Sequence, residues 1–148
     1  MRLDQMEPIV KKFYEGLDED KYLARKCKEC GAVEFPPHLA CNACGYHETE
    51  WVEVSGHGVL VDFTLPGVQN DKPYLKELGK QYGFGSKYAY GCVDIDEGSE
   101  YTYVIYGISK KNAPEILARL KAGEKIGVHA VTIQRDGYKE LCFQLDES

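Results

Sequence analysis

The chain contains no apolar run approaching the roughly 20 residues that a membrane-spanning helix requires. Its opening stretch, MRLDQMEPIVKKF, has neither the apolar core nor the small-residue cleavage site of a secretory signal. No Walker motif, dinucleotide-binding glycine fingerprint or nucleophile elbow occurs, so a self-sufficient active site of those kinds is not visible. Basic charge is also in short supply: 18 Lys and Arg stand against 24 Asp and Glu, a formal net charge of −6. Affinity for a polyanion comes largely from neutralised phosphates and released counterions, so no nucleic-acid partner is expected. A cytoplasmic protein without a membrane attachment is the expectation that these absences leave.

What is present centres on Cys27 to Gly45, CKECG AVEFPPHLA CNACG. Two Cys-x-x-Cys pairs, each followed at once by glycine, are separated by the ten residues between Cys30 and Cys41. A Cys-x-x-Cys turn delivers two thiolates from one tight bend, and the following glycine can take the positive φ that turns amides toward sulfur. Two such knuckles joined by a short hairpin close a tetrahedral four-sulfur site for structural Zn2+, with Cys27, Cys30, Cys41 and Cys44 as the ligands. A redox dithiol needs only one pair. In a reducing compartment the doubled pairs read as metal ligands rather than disulfides. His38 and His47 lie near the knuckles, but four thiolates leave them no required place. Arg25, Lys26 and Lys28 beside the first knuckle can offset the excess negative charge of four thiolates on one dication.

At 148 residues the chain is long enough for one ordinary domain and a small appendage. Residues 1–20 read as a helical segment. Ile9, Phe13 and Leu17 recur every fourth position, with Val10 and Tyr14 widening the stripe and Pro8 suited to a first turn. So short a helix must pack on something, either its own domain or a partner. Residues 21–50 form the ribbon, with the Pro-Pro pair after Phe35 keeping its hairpin extended. From Trp51 the period changes to two. GVLVDFTL places Val59, Val61, Phe63 and Leu65 on one face, and YAYGCVDID, YTYVIYGI, KIGVHAVTI and YKELCFQL read as further strands. APEILARLKAG is a short helix before the fourth of these five strands. Five strands with a helix between the third and fourth is the order of an OB-fold barrel, assigned to residues 51–148.

The barrel's first connection, 66–87, is unusually long, and connections of that length are often functional or disordered. It is either a solvated excursion with a small apolar clasp or a binding loop. In the second case Lys72, Lys76, Lys80 and Lys87 would meet phosphates, and rings such as Tyr82 an adenine or acyl chain. Cys92 and Cys142 stand isolated in strands and read as small core residues, since neither has an evident base. His57 and His129 could each serve as a general base, but neither belongs to a recognisable constellation. Asp94 and Asp96 read as the end of a strand and the start of a turn.

These residues carry a resemblance. FYEGL at Phe13 to Leu17, the two knuckles with FPPHLA between, Trp51 followed by SGHGVLVDFTL, and VDIDEG at Val93 to Gly98 together resemble one family. It is the rubredoxin-like zinc-ribbon/OB-fold acyl-CoA-associated proteins, once called domain of unknown function 35. APEILARLKAGEKIGV is similar to the family's helix and following strand, so nearly the whole chain is covered. The resemblance implies a non-catalytic subunit of a hetero-oligomeric acyl-CoA enzyme. The partner would be a thiolase-like subunit cleaving a β-ketoacyl-CoA with CoA, an aromatic one such as benzoylsuccinyl-CoA included, or a MaoC-type enoyl-CoA hydratase. It further implies that the helix-and-ribbon end, through Ile9, Phe13, Tyr14 and Leu17, docks the partner. The barrel and its loop, through Lys72, Lys76, Lys80, Tyr82 and Lys87, would help enclose CoA. The chain departs from the family pattern in that loop, which is longer and richer in lysine and tyrosine. The rival from another class is a stand-alone binder of single-stranded nucleic acid using OB-fold stacking aromatics.

Overall fold

A computed structural model describes residues 8–65 and 88–147. Helix α1 (Pro8–Asp18) is followed by a small sheet of β1 (Tyr22–Cys27), β2 (Val33–Glu34) and β3 (Thr49–Val54). The barrel then comprises β4 (His57–Thr64), β5 (Tyr88–Ile95), β6 (Glu100–Tyr106), β7 (Ile126–Gln134) and β8 (Lys139–Leu145). Helix α2 (Ala113–Lys121) lies between β6 and β7. The barrel order is β4-β5-β6-β8-β7, closed by antiparallel pairing of β4 with β7. β6 and β8 run parallel. This is the mainly β, five-stranded OB barrel behind a helix and a four-cysteine ribbon that the residue pattern implies, and closure leaves the barrel no free edge.

Local chemistry explains the shorter elements. Asn112 stands before α2; its Oδ1 accepts from the Ser109 amide at 2.7 Å, and its Nδ2 donates to the Gly107 carbonyl at 2.8 Å. Pro114 opens the helix where a missing N–H costs nothing. The β7–β8 hairpin turns through Asp136 and Gly137, closed by the Arg135 amide on the Tyr138 carbonyl at 2.8 Å.

Two features differ from the pattern reading. β3, which contains Trp51, pairs with β1 along its length, so the ribbon sheet reaches Val54. The inward face of β4 also begins one residue out of phase. Gly58 and Leu60 are buried while Val61 is exposed. The register with β5 slips between Leu60 and Asp62, so Val61 is an inserted bulge residue. One extra residue exchanges the two faces of a strand, and beyond it Phe63 and Leu65 pack against the core as expected. Simple alternation from Val59 to Leu65 is therefore overturned by a bulge.

The ribbon and barrel share one apolar core. Phe13, Leu17, Ala24, Phe35 and Val54 join Val93, Tyr103, Ile105 and Phe143 in a single buried cluster. Aromatic rings carry it across the junction: Tyr14 to Phe13 at 5.4 Å, Phe13 to Phe35 at 5.9 Å, Phe35 to Tyr103 at 6.2 Å, and Tyr103 to Phe143 at 4.7 Å between centroids. Burying each such ring stabilises by roughly 1.5–3 kcal/mol. Backbone contacts reinforce the seam, with the Ala130 amide on the Gly56 carbonyl at 2.7 Å and the Ser55 amide on Glu97 Oε2 at 3.0 Å.

Candidate metal centre

The two knuckles are built alike. The Gly31 amide donates to the Cys27 carbonyl and the Gly45 amide to the Cys41 carbonyl, at 3.1 and 2.9 Å. The Cys27 amide donates to Ala32 and the Cys41 amide to Tyr46, at 2.8 and 3.0 Å. Both glycines sit at φ +78°, a left-handed conformation that a side chain would strain, which explains why glycine follows each pair. Within each pair the first cysteine is buried and the second exposed.

The four sulfurs all lie within 4.8 Å of one another. Cys27 Sγ is 3.7 Å from Cys44 Sγ, and Cys30 Sγ is 3.5 Å from Cys41 Sγ. A tetrahedron with metal–sulfur bonds of about 2.3 Å has edges of about 3.8 Å, so the donors fit one tetrahedral ion. Their protons are unevenly held. The Cys30 amide, aimed at the Cys27 sulfur, lowers that thiol to about 7 against the effect of burial. At Cys44 the Tyr46 amide also favours the thiolate. Burial and the neighbouring sulfurs outweigh it and push the thiol up to about 12. At Cys30 the Ala32 amide is likewise outweighed, chiefly by the Cys41 thiol, and the net shift is upward. Four thiolates this close cannot all ionise without a cation between them, which is the chemistry of a metal site. With all four corners protein-held, no position remains for substrate or water, so an ion here cross-links chain.

The surroundings hold the knuckles in place. Glu34 accepts from the Asn42 amide at 3.1 Å and from its side chain at 3.3 Å, tying the hairpin to the second knuckle. Arg25 does not balance the thiolates as the spacing suggested. Its guanidinium donates to Thr49 Oγ1 and to the Thr49 carbonyl at 2.9 and 2.6 Å, and stacks 4.7 Å from the Trp51 ring. Lys12 of α1 approaches the same ring at 5.2 Å. Neither His38 nor His47 belongs to the cysteine group.

Of the candidate partner-facing residues, Phe13 and Leu17 are buried against the chain itself. Ile9 and Tyr14 are half-buried and, with Val10, Pro36, Pro37 and Tyr101, line an apolar groove of about 290 Å³ between helix, linker and barrel. Residue spacing had not connected α1 with Tyr101, because β6 lies far away in sequence. The proposed CoA contacts Lys72, Lys76, Lys80, Tyr82 and Lys87 lie outside the described residues. Cys142 is fully buried, as a core residue should be. Cys92 is only half-buried and donates to Glu100 Oε1 at 3.1 Å. Burial, Glu100, Asp62 and Asp94 push its thiol up to about 11, the reverse of an activated nucleophile. Asp94 is the penultimate residue of β5 and Asp96 begins the following turn. Among the described residues no helix is long and apolar enough to cross a membrane.

No family model and no curated protein matches the sequence. Solved structures do. One, described as "Ltp2-ChsH2(DUF35) aldolase", is 16% identical, covers 95% of this chain and 97% of that chain, and superposes with a TM-score of 0.65. Another, a protein of unknown function from the DUF35 family of Sulfolobus solfataricus, is 16% identical over 95% of this chain and 87% of that chain, with a TM-score of 0.57. At this identity the likeness establishes a shared fold for helix, ribbon and barrel together.

Proposed function

We propose that this chain is a zinc-binding accessory subunit of the DUF35 type, working beside a thiolase-type partner that cleaves a β-ketoacyl-CoA with CoA. The observation that supports it most is the end-to-end fold match to a chain whose description pairs it with a second component in an aldolase. Aldolases, like thiolases, make or break a carbon–carbon bond. The four-thiol centre, if filled by Zn2+, supplies cross-linking and no Lewis acidity, in keeping with chemistry done by the partner. Residues of this chain would then position rather than react. Ile9 and Tyr14 would present a docking face, held by the buried Phe13 and Leu17. Lys72, Lys76, Lys80, Tyr82 and Lys87 would meet the phosphates and adenine of CoA. The proposed substrate is an aromatic acyl-CoA such as benzoylsuccinyl-CoA, taken from the resemblance to the family, and the proposed setting is cytoplasmic.

Co-expression with a candidate thiolase subunit from the same genome tests the reading. The two chains should co-elute, and cleavage of the β-ketoacyl-CoA should disappear when this chain is omitted. A lone thiolase with full activity would refute the proposal. Hydration of an enoyl-CoA by the co-purified partner would identify a MaoC-type hydratase instead. The nucleic-acid alternative is opposed by the outer surface of β4, β5 and β6, where Asp62, Asp94 and Glu100 gather around Cys92. That charge would repel phosphates from the face an OB barrel commonly uses.

A further inference from the structure

The barrel brings two histidines together on one face, outside the cysteine group. His57 opens β4 and is exposed; His129 lies mid-way along β7, and the two are direct cross-strand partners. The hydrogen bonds around them define the kind of pair. The Ala130 amide donates to the Gly56 carbonyl at 2.7 Å, which makes the adjacent Gly56–Ala130 position the bonded one. The His57 carbonyl accepts instead from the Asp96 amide at 3.0 Å, on the opposite side of β4. His57 and His129 therefore occupy a non-hydrogen-bonded position, where opposed Cα atoms approach to about 4.5 Å and side chains stand closest.

One imidazole is already oriented. Asp146 Oδ1 lies 2.6 Å from His129 Nδ1. A carboxylate accepts from the protonated ring nitrogen, which leaves the Nε2 lone pair directed away and available. Asp146 reaches this place by lying across Gly127, two residues before His129 on the same outer face. A Cβ at Gly127 would collide with the carboxylate, and the Asp146 amide is tied to the Gly127 carbonyl at 3.0 Å. The carboxylate is thus placed by backbone geometry rather than by a chance side-chain rotamer.

We propose that His57 and His129 form a two-imidazole site for a borderline divalent transition-metal ion such as Zn2+, with Asp146 as the positioning residue behind His129. Imidazole nitrogens bind Zn2+ at about 2.0–2.1 Å, so the exposed His57 ring would rotate to place a nitrogen on the same ion as His129 Nε2. Water completes the coordination sphere. The ion would bridge β4 and β7, the two strands whose pairing closes the barrel. This site is independent of the accessory-subunit reading and of the cysteine centre.

Equilibrium dialysis of the full chain, its cysteine centre already zinc-loaded, against micromolar free Zn2+ tests the proposal. The wild type should retain a second ion per chain. His57→Ala and His129→Ala should each lose it, and the milder His57→Gln and His129→Gln variants should do the same while keeping the native circular dichroism. A variant with both His38→Ala and His47→Ala should retain it. Asp146→Asn should weaken binding by tenfold or more without abolishing it, because it disturbs only the partner of a ligand. Nitrogen-15 spectra of the histidine side chains should show coordination at Nε2 of His129. Retention of only one ion by the wild type, or loss of the second ion in the His38/His47 variant but not in the His57 and His129 variants, would overturn the assignment.

Discussion

The Tyr103 hydroxyl donates a buried 3.0 Å hydrogen bond to the Phe35 carbonyl, joining a barrel strand to the linker between the cysteine knuckles. Ser99 closes the same junction twice: its hydroxyl donates to the Phe35 carbonyl and accepts from the Phe35 amide, both at 3.1 Å. Phe35 itself is 1% exposed. The linker of the ribbon is thus bonded to the barrel at its centre, and the four-cysteine segment is held in fixed relation to the OB barrel. An accessory subunit that docks by its helix-and-ribbon end would need such a joint.

Replacing Tyr103 by phenylalanine keeps the ring stack with Phe35 and Phe143 and removes one donor. Ser99 still satisfies the Phe35 carbonyl, so the loss is a single net hydrogen bond, about 1 kcal/mol. A lower urea midpoint with unchanged slope is the expected result. A loss several times larger would show that the hydroxyl holds more than this one carbonyl.

Cys27→Ser or Cys41→Ser removes a buried corner of the cysteine tetrahedron. Because such a site forms only as the chain folds, metal loss and ribbon unfolding should go together. Metal analysis should show the ion gone from this centre, and emission of the sole tryptophan, Trp51 on β3, should change. A variant that kept its ion there would disprove the ligand assignment.

Leu17→Ala separates packing within the chain from packing on a partner. Leu17 is 0% exposed, so truncation in the isolated chain should cost about 2 to 5 kcal/mol. Val10, on the same helix but 38% exposed, should tolerate alanine within about 0.5 kcal/mol. Equal and small effects would mean that the helix is held only by a partner.

Alkylation reports on Cys92. With its thiol raised to about 11, the thiolate fraction at pH 8 is roughly a hundredfold below that of an ordinary cysteine, and iodoacetamide should modify it correspondingly slowly. The linkage has a definite sign. A thiol raised on folding contributes stability that is complete below its unfolded value and lost as the pH climbs through about 11. Rapid labelling of Cys92 in the folded protein at pH 8 would contradict the environment described for it.

The cysteine centre was legible because everything it needs is local. Each knuckle is five residues long, its glycine answers a backbone requirement inside it, and only ten residues separate the pairs. The barrel strands and α2 were legible for a related reason, since alternation and helix-start signals act within one element. The phase of β4 was not. A bulge at Val61 depends on which residue of β5 lies opposite, and no periodicity within one strand reports that. The allegiance of β3 to the ribbon sheet was hidden in the same way.

Short-range spacing in the chain therefore determined the cluster of four cysteines, the order of the strands and the place of the second helix, since these follow from forces acting over a few residues. Folding in three dimensions decided the rest. It set Phe35 under Tyr103, turned Arg25 toward Trp51, brought α1 beside Tyr101, and placed Asp146 against His129 across from His57. Each of these relations joins residues on different elements, and their meeting is settled by strand register and core packing, which no local pattern contains.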